Sequence, residues 1–189
     1  DGSLAGRNIF GDLDVAISFT GTDSSSLDNL TIKGNYFGLD NTGSIARENA
    51  GVNIYISCPG SCTNIYIGGS NPDDGNVISN GLRGVHFLNA TGLSTVWDDI
   101  EIKGNIIGSN EEGTVNFGNK RGGIVFQTSQ TTVTGNFLVS GNLIRFNNQE
   151  ESENAYGYFT SYGGIQFQAL LHSNQLVVED NDISDNKGD

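Results

Sequence analysis

Two cysteines are the residues of this chain with the most specific chemistry. Cys58 and Cys62 stand in the stretch Ser-Cys-Pro-Gly-Ser-Cys, where the proline and the glycine permit the tight turn that a local disulfide needs. A zinc site would need further cysteine or histidine ligands, and the neighbouring sequence offers none. We therefore predict a Cys58–Cys62 disulfide and an oxidising location, at the cell surface or outside the cell.

His86 is the strongest candidate for acid–base chemistry, because an imidazole titrates near neutral pH. It stands between Val85 and Phe87, and Lys103 and Arg121 are the basic residues considered as its distant partners. Catalysis would also need a carboxylate in register with the imidazole, and the sequence places none there. We interpret His86 as an exposed side chain on a strand and assign no catalytic residue.

Acidic residues dominate the charge of the chain. The 22 Asp and Glu against 9 Lys and Arg give a net charge of −13, which argues against nucleic acid as a partner and favours cations or neutral and basic partners. No cofactor is required by the sequence. Ca²⁺ prefers oxygen ligands, and Asp180, Asp182 and Asp185 are the candidate ligands, although the stretch matches no defined calcium loop.

Aromatic residues gather in the segment from Asn147 to Tyr162, which is one of the longest between repeated motifs. The candidate ligand-binding residues there are Tyr156, Tyr158, Phe159 and Tyr162. Such rings could stack on a sugar, and packing of the segment onto the rest of the fold is the alternative interpretation. Loops that vary on a constant scaffold are where binding residues concentrate.

An internal repeat must position these residues. In one motif an alternating apolar segment precedes a Gly-Asn or Asp-Asn pair; its asparagines are Asn35, Asn76, Asn105, Asn142 and Asn181. A second motif, typically Gly-apolar-X-apolar, follows each time; its outward positions are expected to be Ala16, Asn53, His86, Val125 and Gln166. Alternation with period two indicates short strands with one buried face.

A short strand cannot bury its apolar face alone, so the repeats must stack like on like and share a core. We predict an all-β fold, namely a right-handed parallel β-helix (solenoid) of about four to five irregular coils. Asparagine tolerates left-handed backbone geometry and its amide both donates and accepts hydrogen bonds. The five repeated asparagines are therefore predicted to form a structural ladder through one corner of the coils.

These motifs, together with the segment Ile67 to Ser79, resemble bacterial secreted or surface right-handed parallel β-helix repeat proteins, which have the pectate-lyase-like superfamily fold. The resemblance covers residues 8 to 186, and its motifs specify turns and strands rather than chemistry. It implies glycan cleavage as one activity, but the polygalacturonase-like signatures are not present together. A shared fold does not imply a shared function.

The function that the sequence favours is a non-catalytic extracellular structural or adhesive module that presents loops to a glycan or a surface protein. A polysaccharide lyase or glycoside hydrolase is the alternative. No apolar run approaches the roughly 20 residues that cross a bilayer, so membrane insertion is not expected. Residues 1–189 are interpreted as a single β-helix domain whose ends break within the repeat, and we expect continuation into other domains or end-to-end self-association.

Overall fold

The computed structural model describes residues 6–22, 25–89, 95–148 and 163–187, and of residues 129–132 and 169–174 it describes the backbone alone. Fourteen strands in this part of the chain wind into a β-solenoid with three faces, and every pairing between named strands is parallel. The all-β solenoid predicted from the repeats is confirmed. No helix in the described ranges is long and apolar enough to cross a membrane.

Five successive coils each contribute to all three sheets, and the first sheet also contains β14 of the last described coil. The first sheet contains β1 (Ile9–Phe10), β4 (Tyr36–Phe37), β7 (Val77–Ile78), β10 (Ile106–Ile107), β12 (Leu143–Arg145) and β14 (Asp182–Ser184). The second contains β2 (Ile17–Thr20), β5 (Ile54–Ser57), β8 (Val85–Asn89) and the first parts of β11 (Ile124–Ser140) and β13 (Ile165–Glu179). The third contains β3 (Ser26–Ile32), β6 (Ser61–Gly68), β9 (Thr95–Lys103) and the later parts of β11 and β13.

Interior side chains stack on their equivalents in the next coil. In the second sheet the ring centroid of Phe126 lies 5.1 Å from that of Phe87 and 4.8 Å from that of Phe167. Most other interior positions carry branched aliphatic side chains, including Ile54, Ile56, Ile65, Ile67, Ile78, Val85, Ile100, Ile102, Ile107, Ile124, Val139 and Ile144. These residues suit a pleated surface because their branched Cβ packs well against neighbours on the same face.

An asparagine ladder runs through the corner between the third and first sheets. The backbone N–H and the side-chain Nδ2 of Asn35 both donate to Oδ1 of Asn76, at 3.0 and 3.2 Å. The same pair of bonds joins Asn76 to Asn105, Asn105 to Asn142 and Asn142 to Asn181. The ladder therefore satisfies polar groups that the corner would otherwise bury without partners.

A second asparagine ladder, which the sequence motifs did not reveal, lies in the corner between the first and second sheets. Asn119 donates to Oδ1 of Asn147 from its backbone N–H and from Nδ2, and Asn147 donates in the same way to Asn186. Gly81 occupies this corner in the preceding coil, and its N–H donates to Oδ1 of Asn119. Nδ2 of Asn53 reaches the same oxygen at 3.0 Å, which keeps the ladder continuous.

In three of the coils a left-handed backbone conformation explains why glycine precedes the ladder asparagine. Gly34, Gly104 and Gly141 have φ of 66°, 65° and 62°, and glycine adopts this conformation at no steric cost. Asp180 takes the equivalent place before Asn181 with φ of 55°, so the Asp-Asn pair is a variant of the same turn. Aspartate is one of the few other residues that tolerate it.

From Asn35 onward, the unequal spacing of the ladder asparagines comes from one short connection. The chain passes from the first to the second sheet through residues 38–53 and 108–123 in two coils, but through 79–84 alone in the coil between them. The sequence separation across that coil is 29 residues, compared with 41, 37 and 39 for the others. Coils of different length therefore share one strand register.

The two long connections fold back over the outward face of the first sheet. Each contains an isolated antiparallel bridge, Leu39 with Ala46 and Ser109 with Asn116. Beneath them lies a small apolar cluster outside the main core, made of Tyr36, Leu39 and Val77 with Ile106 and Phe117 packed against it. The first sheet is thus covered on both faces here.

One expected register is wrong. Aligning the second motif on glycine matches Asn53 with His86, but the structure pairs Ile54 with Val85 and Tyr55 with His86. Asn53 lies at the corner, where it is fully buried in the second ladder, and Ala16 packs against the core, so neither is an outward residue. The outward row that contains His86 consists of Ser18, Tyr55, His86, Val125 and Gln166.

The ladder makes a testable prediction about stability. Replacing Asn105 with alanine removes the acceptor of two bonds from Asn76 and leaves those donors buried and unpaired. Because an unsatisfied buried group costs about 1 to 3 kcal/mol, we expect Asn105→Ala to lower the free energy of unfolding by about 2 kcal/mol or more in urea denaturation.

Asn181→Ala is the matched control, because Asn181 accepts the same two bonds from Asn142 but is only half-buried, so water can replace its oxygen. We expect a clearly smaller loss for this variant. Equal losses for both variants would show that the buried ladder bonds do not stabilise the interior coils more than the last one.

Candidate functional site

The predicted disulfide is confirmed. Cys58 and Cys62 are bonded, with their Cα atoms 6.1 Å apart, and both side chains are fully buried in the core. Nε1 of Trp97 donates to the carbonyl of Cys58 at 3.0 Å, and the hydroxyl of Thr95 donates to the carbonyl of Gly60. The disulfide loop is therefore pinned onto strand β9 of the next coil, which indicates a structural role.

His86 is buried, so its interpretation as an exposed imidazole is wrong. The residue is 5% exposed, and Nε2 lies 3.1 Å from Oε1 of Gln127. Nδ1 has no hydrogen-bond partner among the described residues. The ring of Tyr55 is 5.5 Å away on one side, and Val125 is its fully buried strand neighbour on the other. The outward row of the second sheet is therefore covered at this point.

The surroundings of His86 favour its neutral form. Burial lowers the pKa of His86 to about 4, and the positive charge of Arg83 acts in the same direction, while the hydrogen bond with Gln127 opposes them. Arg83, rather than Lys103 or Arg121, is thus the cation that acts on this imidazole. Ser18, Tyr55, Val125 and Gln166, the other members of its row, provide no carboxylate, so the described residues assemble no acid–base pair around His86.

The candidate calcium ligands lie on the last described coil. Oδ1 of Asp182 accepts a hydrogen bond from Ser184, and Oδ2 pairs with Nη2 of Arg145 at 2.6 Å. These two contacts lower the pKa of Asp182. Asp180 and Asp185 both have left-handed backbone conformations, with φ of 55°. Within the described ranges no group of three or more His, Cys, Asp or Glu side chains could hold a metal ion, and calcium binding by Asp180, Asp182 and Asp185 stays a prediction.

The aromatic candidates for ligand binding, Tyr156, Tyr158, Phe159 and Tyr162, lie outside the described residues. Trp97, by contrast, is placed by the structure in the core, where its ring centroid is 5.7 Å from that of Phe87. Trp97 therefore serves the packing of the coil.

A cavity of about 380 Å³ opens on the outer face of the third sheet, and we call it the sheet groove. It spans β9 and the later parts of β11 and β13. Its lining combines three carboxylates (Asp99, Glu101 and Glu179), two amides (Asn136 and Gln175) and the apolar side chains of Leu138 and Val177. Ile100 and Phe137 also border it, but their side chains are buried in the core. A cleft of this size with apolar walls and a few polar groups is the usual form of a ligand site.

The sheet groove forms where the strands are irregular. Asp99 has a left-handed φ of 53°, and the pairing of β9 with β11 shifts register between Thr134 and Phe137. A Cβ on Gly135 would lie 1.7 Å from the carbonyl oxygen of Trp97, so glycine is required at this crossing. Bulges of this kind bend a strand and re-aim its side chains, and they are frequent beside functional sites.

Hydrogen bonds fix two of the polar groups that line the sheet groove. Oδ1 of Asp98 accepts from the backbone N–H of Asn136 at 2.9 Å and from its Nδ2 at 2.7 Å, so the amide oxygen of Asn136 remains an acceptor. The hydroxyl of Tyr66 donates to Asp99, and this bond is the main cause that raises the pKa of Tyr66 to about 12. Tyr66 consequently stays protonated at physiological pH.

The sheet groove offers mainly hydrogen-bond acceptors and contains no cationic side chain among its lining residues. Such a surface suits a ligand rich in hydroxyl groups and disfavours an anionic one. The sequence carried a partial signal for it, since Glu101 and Glu179 occupy polar positions in the alternation. The bulges that gather them with Asp99 and Asn136 have no comparable signature.

Comparisons with known proteins found no match: no protein-family description, no curated protein and no solved structure matches the chain.

Burial of His86 predicts a pH dependence of stability. The imidazole titrates near pH 6.5 when unfolded and near pH 4 when folded, so the unfolded state binds more protons between these values. Stability should therefore fall as the pH drops from about 6.5 to about 4. Relative to a His86→Gln variant, we expect a loss of about 3 kcal/mol by pH 4 in urea denaturation.

The comparison with the variant removes the contribution of carboxylates, which titrate in the same range in both proteins. Parallel stability curves for the two proteins between pH 7 and pH 4 would show that His86 takes up its proton freely and is open to water.

Proposed function

We propose that this chain is a non-catalytic extracellular β-helix module that binds a neutral glycan in the sheet groove. The observation that carries the proposal is the composition of that cavity, in which acceptors from several coils lie beside the apolar side chains of Leu138 and Val177. Sugars present hydroxyl donors at their edges and C–H groups on their faces, and the lining offers a counterpart to both.

The orientation of the sheet groove supports a chain-like ligand. Glu101, Leu138 and Val177 occupy one register position on adjacent strands of the third sheet, and Tyr66 precedes them in the same row. Equivalent positions in stacked strands repeat every 4.8 Å or so, which gives a periodic surface across the coils. A periodic oligosaccharide could contact several coils at once.

The disulfide supports the proposed location. Cys58 and Cys62 are bonded and enclosed by the core, and structural disulfides persist in oxidising compartments such as the extracellular space and the cell surface. We also predict that an aromatic loop contacts the ligand through Tyr156, Tyr158, Phe159 and Tyr162. A protein at the cell surface as partner, and calcium as an accessory ion, likewise remain predictions.

Glycoside hydrolysis is the second candidate function, because Asp99, Glu101 and Glu179 line one cavity and hydrolysis uses two carboxyl groups. Two features favour binding over hydrolysis. A general acid needs a carboxyl shielded from water, whereas Glu179 is exposed and Asp99 already accepts the Tyr66 hydroxyl. A lyase would also need a cationic group to neutralise the substrate, and the lining has none.

The proposal predicts a binding defect in Glu101→Gln. This change keeps the shape of the side chain but removes a charged acceptor, and hydrogen bonds to charged groups are worth about 1.5 to 3 kcal/mol. We expect a roughly tenfold or greater loss of affinity for neutral gluco-, xylo- or galacto-oligosaccharides, measured by isothermal titration after selection on a glycan array.

Asp28→Asn is the matched control, because Asp28 is an exposed carboxylate on the same sheet but outside the sheet groove. It should bind like the unaltered protein. The titrated samples are also assayed for new reducing ends and for unsaturated products. No binding of any glycan would refute the proposal, and reducing ends that vanish in Glu101→Gln would replace it with hydrolysis.

A further inference from the structure

The disulfide loop, residues 58–62, and the sheet groove are connected by strand β9. The loop forms the corner between the second and third sheets, because Ser57 ends β5 and Ser61 begins β6. β9 pairs with β6 in the next coil, and its later part contributes Asp99 and Glu101 to the sheet groove. A contact that fixes the beginning of β9 therefore also constrains the groove.

The sheet groove lies where two neighbouring strands differ in length by one residue. The pairing of β9 with β11 is regular up to Val96 and Thr134. It resumes at Ile100 and Phe137, so β9 has three residues in between and β11 has two. Asp99 belongs to the longer side and has a left-handed φ of 53°. An extra residue of this kind bends its strand, so the shape of the groove depends on how β9 crosses β11.

Trp97 is the first of the three residues of β9 at this crossing. Its carbonyl approaches Gly135 so closely that no Cβ would fit there. The next residue, Asp98, accepts hydrogen bonds through Oδ1 from the backbone N–H and from Nδ2 of Asn136, at 2.9 and 2.7 Å. Asn136 lines the sheet groove. The position of the Trp97 backbone therefore sets the position of a lining residue.

The disulfide loop holds Trp97 from the preceding coil. The indole ring is fully buried, and its Nε1 donates to the carbonyl of Cys58 at 3.0 Å. Trp97 is also the strand partner of Cys62 on β6. The hydroxyl of Thr95, two residues earlier, donates to the carbonyl of Gly60. Both cysteines are thus joined to Trp97, one through a carbonyl and the other through strand pairing.

The bond between the two cysteines keeps the acceptors of the disulfide loop in place. A disulfide restricts the backbone conformations of the loop that it closes. Without the bond, the carbonyls of Cys58 and Gly60 would lose the fixed positions in which they accept from β9. Trp97 would then have more freedom to move, and the crossing beside it would move with it.

We propose that the Cys58–Cys62 disulfide sets the shape of the sheet groove through Trp97, so that ligand binding there requires the oxidised protein. Trp97 acts as a positioning residue, because its fully buried ring cannot touch a ligand in the groove. The effect on binding rests on the proposed function, whereas the effect on the position of Asn136 does not.

Amide hydrogen exchange tests the proposal without a ligand, because the backbone N–H of Asn136 reports on its bond to Asp98. We expect this amide to exchange roughly tenfold faster or more in Cys58→Ser/Cys62→Ser, a double variant that represents the reduced state. Trp97→Phe keeps an aromatic ring in the core but removes Nε1, and it should act in the same direction. Glycan affinity, measured by isothermal titration, should fall roughly tenfold or more in both variants.

Asn147→Ala is the matched control for a general loss of stability. Asn147 is fully buried in the second ladder, where it bonds Asn119 and Asn186 rather than the disulfide loop. We expect this variant to be less stable but to leave the exchange of the Asn136 amide unaltered. Circular dichroism verifies folding, and Trp97→Phe decides the question if the double variant does not fold.

Three results would overturn the proposal. The Asn136 amide could exchange at its original rate in the folded variants, or Asn147→Ala could accelerate it equally. Faster exchange with unaltered glycan affinity would also overturn it, because the groove would then bind without the disulfide. If the unaltered protein binds no glycan, the proposed function fails, and the exchange rates alone decide whether the disulfide shapes the groove.

Discussion

The structure depends on the stacking of coils in parallel, and the corners are where that stacking is hardest to maintain. Strands satisfy their own backbone groups by pairing, but a chain that turns between sheets has to bury N–H and C=O groups without a strand partner. Asparagine resolves this because one side chain accepts from the coil before it and donates to backbone carbonyls: Nδ2 of Asn105 bonds the carbonyls of Ile67 and Lys103. Two of the three corners use this solution.

The first motif could be predicted from sequence because several independent signals coincide in it. The left-handed glycine, the asparagine and the alternating apolar positions each have a physical reason, and all fall at constant offsets, as in Gly104, Asn105 and Ile107. The second motif placed His86, Val125 and Gln166 in one row correctly, but it misplaced Ala16 and Asn53. The glycine before Val52 and the glycine before Val85 look equivalent in sequence, yet the structure pairs Ile54 with Val85, so Asn53 stands opposite Gly84.

The candidate sites were less accessible to sequence reasoning than the fold. His86 was a candidate because an imidazole titrates near neutral pH, and the strand pattern placed it on an exposed face. Its burial comes from outside the sheet, which a strand pattern does not encode. The sheet groove depends on a bulge at Gly135 and on the placement of Asp98 beside Asn136, both set by contacts between coils. The ion pair between Arg7 and Glu111 likewise joins residues separated by more than half of the chain. Repeats specify what is common to all coils, whereas sites arise from what is peculiar to one.

The ladders also give the solenoid a direction. In every rung of the first ladder the backbone N–H and Nδ2 belong to the earlier coil and the accepting oxygen to the later one, from Asn8 through to Asn181. The rungs from Asn119 to Asn186 in the second ladder run in the same direction. The two faces of a coil are therefore chemically unlike, and a coil turned upside down would oppose donors to donors. Duplication or loss of a whole coil preserves this polarity, whereas inversion cannot. A protein built in this way can lengthen, shorten or exchange internal segments during evolution, provided that each new unit enters in the same sense.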